Sequence, residues 1–157
     1  LLFNKVLEAQ VNVTVKFKKL DPKAIVPTYA TVGSSGMDVY SLDTIELIPD
    51  TLNLFRTGLA LELPEGWEIQ IRSRSGLASQ GVWVANQPGT LDSDYRGELK
   101  IMLFHMRGRD LRRRVMITEG ERIAQLVFSP VYRATLLEVE ELSETERGEK
   151  GLGSTGR

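Results

Sequence analysis

Cysteine is absent from the 157 residues, and histidine occurs once, at His105. No disulfide, thiol nucleophile, cysteine-ligated zinc or iron–sulfur cluster can form. A two-histidine metal centre within one chain is equally excluded. Any Ser-His-Asp triad would have to use His105, to which no catalytic role is given. Catalysis would fall to carboxylates, hydroxyls, guanidinium groups and a bound ion. Charge of one sign is also lacking: 20 Lys and Arg stand against 21 Asp and Glu, for a net charge of −1. A whole-surface basic field for nucleic acid is therefore excluded, and no direct nucleic-acid contact is expected. No apolar run approaches the ~18 residues that a membrane helix needs. Residues 1–10 lack the apolar stretch of a secretory leader, so a cytoplasmic setting is expected, or a host cytoplasm for a viral chain.

What is present is short-period alternation. Val11, Val13, Val15 and Phe17 alternate with Asn12, Thr14, Lys16 and Lys18, as in a half-buried strand. Further strands are expected at Ile45–Leu47, Leu52–Leu54, Leu59–Leu63, Trp67–Ile71, Leu99–Leu103, Val115–Ile117 and Ile123–Phe128. Turn residues separate them, including Pro49–Asp50, Arg56–Gly58, Pro64–Gly66 and Glu119–Gly120. Many short strands at near-regular spacing predict an all-β sandwich or barrel. One short helix is expected, at Leu77–Gln80, and residues 1–10 and 136–142 are ambiguous. The expected division is one β domain over 1–142 and a flexible C-terminal arm over 143–157. That arm carries Gly148, Gly151, Gly153 and Gly156 and almost nothing apolar except Leu152.

Several clusters could carry chemistry, and each has an ordinary structural reading beside it. The stretch from Asn86 to Glu98 is the densest polar cluster, bracketed by Pro88-Gly89 and Arg96-Gly97. It reads as a β-hairpin offering backbone donors and a water-orienting carboxylate, or as a plain turn. Arg72-Ser73-Arg74-Ser75-Gly76 sets two guanidiniums and two hydroxyls beside a glycine, which suits phosphate or merely an exposed strand end. The glycine-rich tail suggests a phosphate wrap but is not a Walker A loop. Arg122 reads by default as a structural ion pair, Gln125 as a surface residue, and Gly36-Met37-Asp38 as a turn before a strand. The basic block Arg107–Arg114 reads as a solvated loop or as a site for a protein partner.

In order and spacing these clusters resemble the five motifs of the trimeric deoxyuridine triphosphatases (dUTPases). Pro27-Thr28-Tyr29-Ala30-Thr31 leading to Gly33-Ser34-Ser35-Gly36-Met37-Asp38 resembles the first motif, and Arg74-Ser75-Gly76-Leu77-Ala78 the second. Gly89-Thr90-Leu91-Asp92-Ser93-Asp94-Tyr95-Arg96-Gly97-Glu98 resembles the third, and Gly120-Glu121-Arg122-Ile123-Ala124-Gln125-Leu126 the fourth. Arg147-Gly148 with Gly151-Leu152-Gly153-Ser154-Thr155-Gly156 resembles the fifth.

The resemblance implies a jelly-roll-like β fold, a homotrimer with interfacial sites, and Mg²⁺-dependent hydrolysis of dUTP to dUMP and pyrophosphate. That reaction would keep uracil out of DNA and supply dUMP for thymidylate synthesis. Asp92 would be the base that orients the attacking water. Asp38 would hold Mg²⁺ through water. Asn86, Gly89, Thr90 and Leu91 would receive uracil, with Tyr95 against the deoxyribose. Arg74, Ser75, Gly76 and Gln125 would contact phosphates, joined by Arg147, Ser154 and Thr155 from an arm that closes over a neighbouring subunit's site. Leu152 stands where the fifth motif usually carries a base-stacking aromatic, which implies weaker closure. A dCTP deaminase shares the fold, but Leu99-Lys100-Ile101-Met102-Leu103 lacks the acid expected there. A binding module without catalysis is the other alternative.

Overall fold

The computed structural model describes residues 12–106 and 114–151. Its elements are strands β1 (Lys16–Lys19), β2 (Thr28–Tyr29), β3 (Met37–Tyr40), β4 (Ile45–Glu46), β5 (Leu52–Glu62) and β6 (Trp67–Arg72). Helix α1 (Ser75–Ala78) follows, then β7 (Val82–Val84), β8 (Gly89–Leu91), β9 (Glu98–His105), β10 (Met116–Ile117) and β11 (Arg122–Pro130). The strands make a four-stranded sheet ordered β1-β5-β9-β7 and a five-stranded sheet ordered β2-β3-β11-β6-β8. A small β10-β4 ribbon completes the set. The pairings are antiparallel, and the architecture is the jelly-roll-like β-sandwich expected.

Alternation explains the layers. On β9, Leu99, Ile101 and Leu103 are buried while Lys100, Met102 and Phe104 point the other way. Phe55 and Leu59 of β5, Ile69 of β6, and Ile123 and Leu126 of β11 join them in one core. Each such side chain contributes about 1.5–3 kcal/mol relative to exposure. The buried Thr57 hydroxyl donates to the Leu99 carbonyl at 2.6 Å, so no polar atom is stranded there.

The chain departs from the sequence expectations at specific places. The turn expected at Arg56–Gly58 is a bulge inside one eleven-residue strand. Gly58, at φ +67°, absorbs the register shift between Arg56 and Ala60, so Asn53, Phe55, Thr57, Leu59 and Leu61 all stay on the buried face. A Cβ at Gly58 would also lie only 3.0 Å from that of Ala24.

Among the described residues the first strand begins at Lys16, and residues 12–15 of the expected run are not in a strand; Val11 lies outside the described residues. Only Lys16–Lys19 find partners, on β5 at the sheet edge. The helix begins at Ser75, two residues before the expected start, because the extended Arg74 is already its N-cap. Asn86–Glu98 is not a hairpin: β8 pairs with β6, whereas β9 pairs with β5 and β7. The stretch crosses from one sheet to the other. Strands β2 and β7, of two and three residues, were not among the expected strands, and β3 already includes Met37 and Asp38, which were read as the turn before it. After Pro130 no strand or helix occurs through Gly151, and Leu136, Leu137 and Leu142 are almost fully exposed. Among the described residues no helix is long and apolar enough to cross a membrane.

Candidate active site

Three neighbouring strands place the first group. Across β3, β11 and β6, Asp38, Gln125 and Arg72 stand in register. Arg74 follows two residues beyond β6. Asp38 then receives two guanidiniums: Arg74 Nε donates to Oδ1 at 2.9 Å, and Arg122 Nη1 to Oδ2 at 3.1 Å. The Asp38 side chain is 15% exposed and that of Arg74 26%, so this pair is better shielded than a surface salt bridge. Arg74 Nη1 also donates to the Arg122 carbonyl at 3.3 Å. Gln125 Nε2 donates to the Ser73 carbonyl at 3.2 Å, fixing the amide. Gly36 is required for that placement, because a Cβ there would stand 2.7 Å from Gln125 Oε1.

Gly36, Asp38, Arg74, Arg122 and Gln125, with Ala30, Ser34, Ser35 and Ser75, line an open cleft of about 320 Å³. Two guanidiniums against one carboxylate leave it net cationic, and the hydroxyls and amide add neutral donors. That donor set suits a polyanion. The geometry thus brings together Asp38, Arg74, Ser75 and Gln125, four of the residues singled out in the sequence. It also adds Arg122, which was read only as a structural ion pair, together with Ser34 and Ser35. Arg122 does make an ion pair, and its partner is the site carboxylate itself. Gly76 lies outside the cleft lining; its carbonyl accepts from Ser79 Oγ at 2.9 Å.

A second cleft, of about 240 Å³, lies in the crossing between the sheets. Its lining includes Asn86, Thr90, Leu91, Asp92 and Tyr95, with Ile71, Leu54 and Met102 as apolar walls. Gly89 is buried against Asn86 and Ile71, where a Cβ would come within 3.1 Å of the Asn86 amide. Tyr95 folds back so that its hydroxyl donates to the Glu98 carbonyl at 3.1 Å. Asp92 is exposed at the rim, and it also faces a larger polar cleft of about 560 Å³ with Glu65, Glu68, Arg96 and Arg133. A cleft with apolar walls, an amide at Asn86 and charged groups at Asp92, Glu98 and Lys100 suits a nucleoside.

The two clefts share no lining residue. Arg147 joins neither; its Nε donates to the Lys150 carbonyl at 3.0 Å within a turn of the tail. Leu152, Ser154 and Thr155, and Arg107–Arg113 of the basic block, lie outside the described residues. Arg114, the last of that block, pairs with Glu46 at 3.1 Å.

For a divalent cation the fit is specific. Among the described residues no group of three or more His, Cys, Asp and Glu is arranged to hold a metal. Each Asp38 oxygen already accepts from an arginine but keeps a further lone pair. Asp38 is therefore suited to accept hydrogen bonds from the waters of a hydrated Mg²⁺ rather than to chelate it.

A dUTPase family model matches residues 22–156. A deoxyuridine 5′-triphosphate nucleotidohydrolase from Nautilia profundicola is 47% identical over 144 residues, covering 91% of this chain and 99% of its own length. One from Hydrogenobaculum sp. is 50% identical over 141 residues, covering 88% and 95%. Among solved structures, the Staphylococcus bacteriophage 80alpha dUTPase with dUpNHpp superposes with a TM-score of 0.80 at 31% identity, covering 92% of this chain and 99% of that one. A phage phi11 dUTPase mutant, whose structure is described as revealing the coordination of a structural Mg(II) ion, superposes at 0.71 and 25% identity, covering 83% and 99%. The chain belongs to the dUTPase family.

Proposed function

We propose that this chain, a dUTP diphosphatase by family, divides its substrate between the two clefts and cleaves it with a water held by Asp92. The observation that carries the proposal is the separation itself: a largely apolar cleft with amide groups and a cationic cleft are both built on one chain, with no lining residue in common. A homotrimer with interfacial sites would set the nucleoside cleft of one copy against the cationic cleft of another. The apolar side chains exposed on the extended segment after Pro130 support such self-association, since a lone chain leaves them in water.

In this reading Asn86 and the backbone from Gly89 to Leu91 face the uracil edge. A backbone that fits closely around the base there would leave no room for a thymine methyl. Tyr95 lies against the deoxyribose and excludes a 2′-hydroxyl. Arg74, Ser75 and Gln125 receive the phosphate chain, with Arg122 beside them. Asp92, exposed at the rim, accepts a hydrogen bond from water and aims it at the α-phosphorus. It takes the proton as the bond from the α-phosphorus to the bridging oxygen breaks and pyrophosphate leaves. Mg²⁺, when bound, would neutralise phosphate charge, and Asp38 would orient its waters. Arg147, Ser154, Thr155 and Leu152 would close from the tail, excluding bulk water. A protein partner at Arg107–Arg114 is a separate expectation, independent of turnover.

The test is pyrophosphate release from dUTP, dCTP, dTTP and UTP with Mg²⁺, using wild type and Asp92→Asn. Turnover confined to dUTP, with kcat reduced about 10²–10⁴-fold by the substitution, is expected. Full turnover by Asp92→Asn would remove the base, and turnover of dTTP would remove the pocket.

A further inference from the structure

Glu98 is the first residue of β9 and lines the nucleoside cleft, and its carboxylate is held by the β5 bulge. Oε1 accepts from the Gly58 backbone N–H at 3.0 Å, inside the β5 bulge. Arg56 Nε lies 3.4 Å from the same oxygen. The side chain is only 15% exposed. The main-chain carbonyl of the same residue is the acceptor for the Tyr95 hydroxyl. Between them sits Gly97, where a Cβ would strike the Tyr95 ring and hydroxyl. One residue thus grips the bulge with its side chain and the tyrosine with its backbone. The next residue repeats the link, since Thr57 Oγ1 donates to the Leu99 carbonyl.

We propose that Glu98 is a positioning residue for sugar discrimination, fixing Tyr95 by anchoring the start of β9 to the β5 bulge. The inference rests on the reading that Tyr95 meets the deoxyribose. The bulge supplies a donor, Gly58 N–H, that no ordinary ladder partner can satisfy, because the register shifts between Arg56 and Ala60. A carboxylate with an arginine beside it is a strong acceptor for it. When that anchor is removed, the Glu98 carbonyl shifts with its strand end and carries the tyrosine hydroxyl along. A displacement near 1 Å is enough to change turnover greatly when geometry sets selectivity.

The experiment measures kcat and KM for dUTP and UTP on Glu98→Ala, Glu98→Gln, Glu98→Asp, Tyr95→Phe and Tyr95→Ala. Glu98→Ala is expected to lower the dUTP-over-UTP ratio of kcat/KM about tenfold. Glu98→Gln should restore most of the ratio, because its amide oxygen still accepts from Gly58. Glu98→Asp is too short to reach and should behave like Ala, which covers the case that Glu98→Ala does not fold. Combining Glu98→Ala with Tyr95→Phe should add little, since both act on one tyrosine. A lower Tm with an unchanged ratio in both Ala and Asp variants would overturn the proposal and leave a scaffold residue. An unchanged ratio in Tyr95→Ala would instead overturn the tyrosine's assignment to the sugar, and the proposal with it.

Discussion

The cationic cleft and the nucleoside cleft are built by opposite means. In the first, side chains do the work: Asp38 of β3, Arg122 and Gln125 of β11 and Arg74 just beyond β6 converge, with both arginines on Asp38 and the Gln125 amide on the Ser73 carbonyl. In the second, backbone and shape do it. Gly89 packs against Asn86, Tyr95 bonds a carbonyl, and Asp92 stands exposed at the rim. The difference follows from the ligand each suits. A polyanion needs several cations held apart against their own repulsion, and Asp38 supplies the counter-charge that permits it. A base and sugar need a fixed outline, which a pinned main chain defines better than mobile side chains.

Substitutions can break either half separately. The largest effect within the cationic cleft is expected from Arg74→Ala, which strips Asp38 of its shorter ion pair and the cleft of a guanidinium. kcat/KM for dUTP should fall about 10²-fold, with nucleoside affinity unchanged. An equal loss of deoxyuridine binding would show that the two halves are not independent. A smaller effect is expected from Gly36→Ala. Its methyl would meet Gln125 Oε1, so the amide must turn, and KM should rise about three- to tenfold with Tm little changed. Wild-type kinetics would mean that Gln125 is free to move without cost.

The smallest effect lies outside both clefts. The Glu62 carboxyl is held below its ordinary value of 4.5, first by a hydrogen bond from Lys16 and then by that lysine's charge. A lowered carboxyl contributes stability that is present above the unfolded-state value and lost as pH falls through the folded one. Glu62→Gln should therefore leave Tm nearly unchanged at pH 7 and slightly flatten its decline below about pH 4.5. A large loss at pH 7 would show that this exposed pair closes the β1 edge.

Much of this was legible in the chain and some was not, for reasons that differ by residue. Strands with a sustained inward face, such as Leu99–Leu103 and Ile123–Phe128, announce themselves by period. Gly58 was misread because a positive-φ glycine ends a strand or bends one, and only the partner strand decides which. Asn86–Glu98 looked like a hairpin because bracketing turn residues do not say which sheet each flank joins. Asp38, Arg74, Ser75 and Gln125 of one cleft and Asn86, Thr90, Asp92 and Tyr95 of the other were singled out in advance through the resemblance. That Arg122 shares Asp38 with Arg74 was not, since the triad exists only after β11 pairs with β3 and β6. Glu98 carried no signal: its role depends on a bulge forty residues upstream.

The central claim is that one active site takes its nucleoside half and its phosphate half from different copies. Asp92→Asn and Arg74→Ala chains, each reduced about 10²-fold or more in kcat/KM as a pure assembly, can be mixed by co-refolding and assayed with dUTP. If the halves come from different copies, a one-to-one mixture regains about a quarter of wild-type activity, because that share of sites draws both halves from intact surfaces. If the mixture stays at the level of its parents, both halves serve a site within one chain, and the account is wrong.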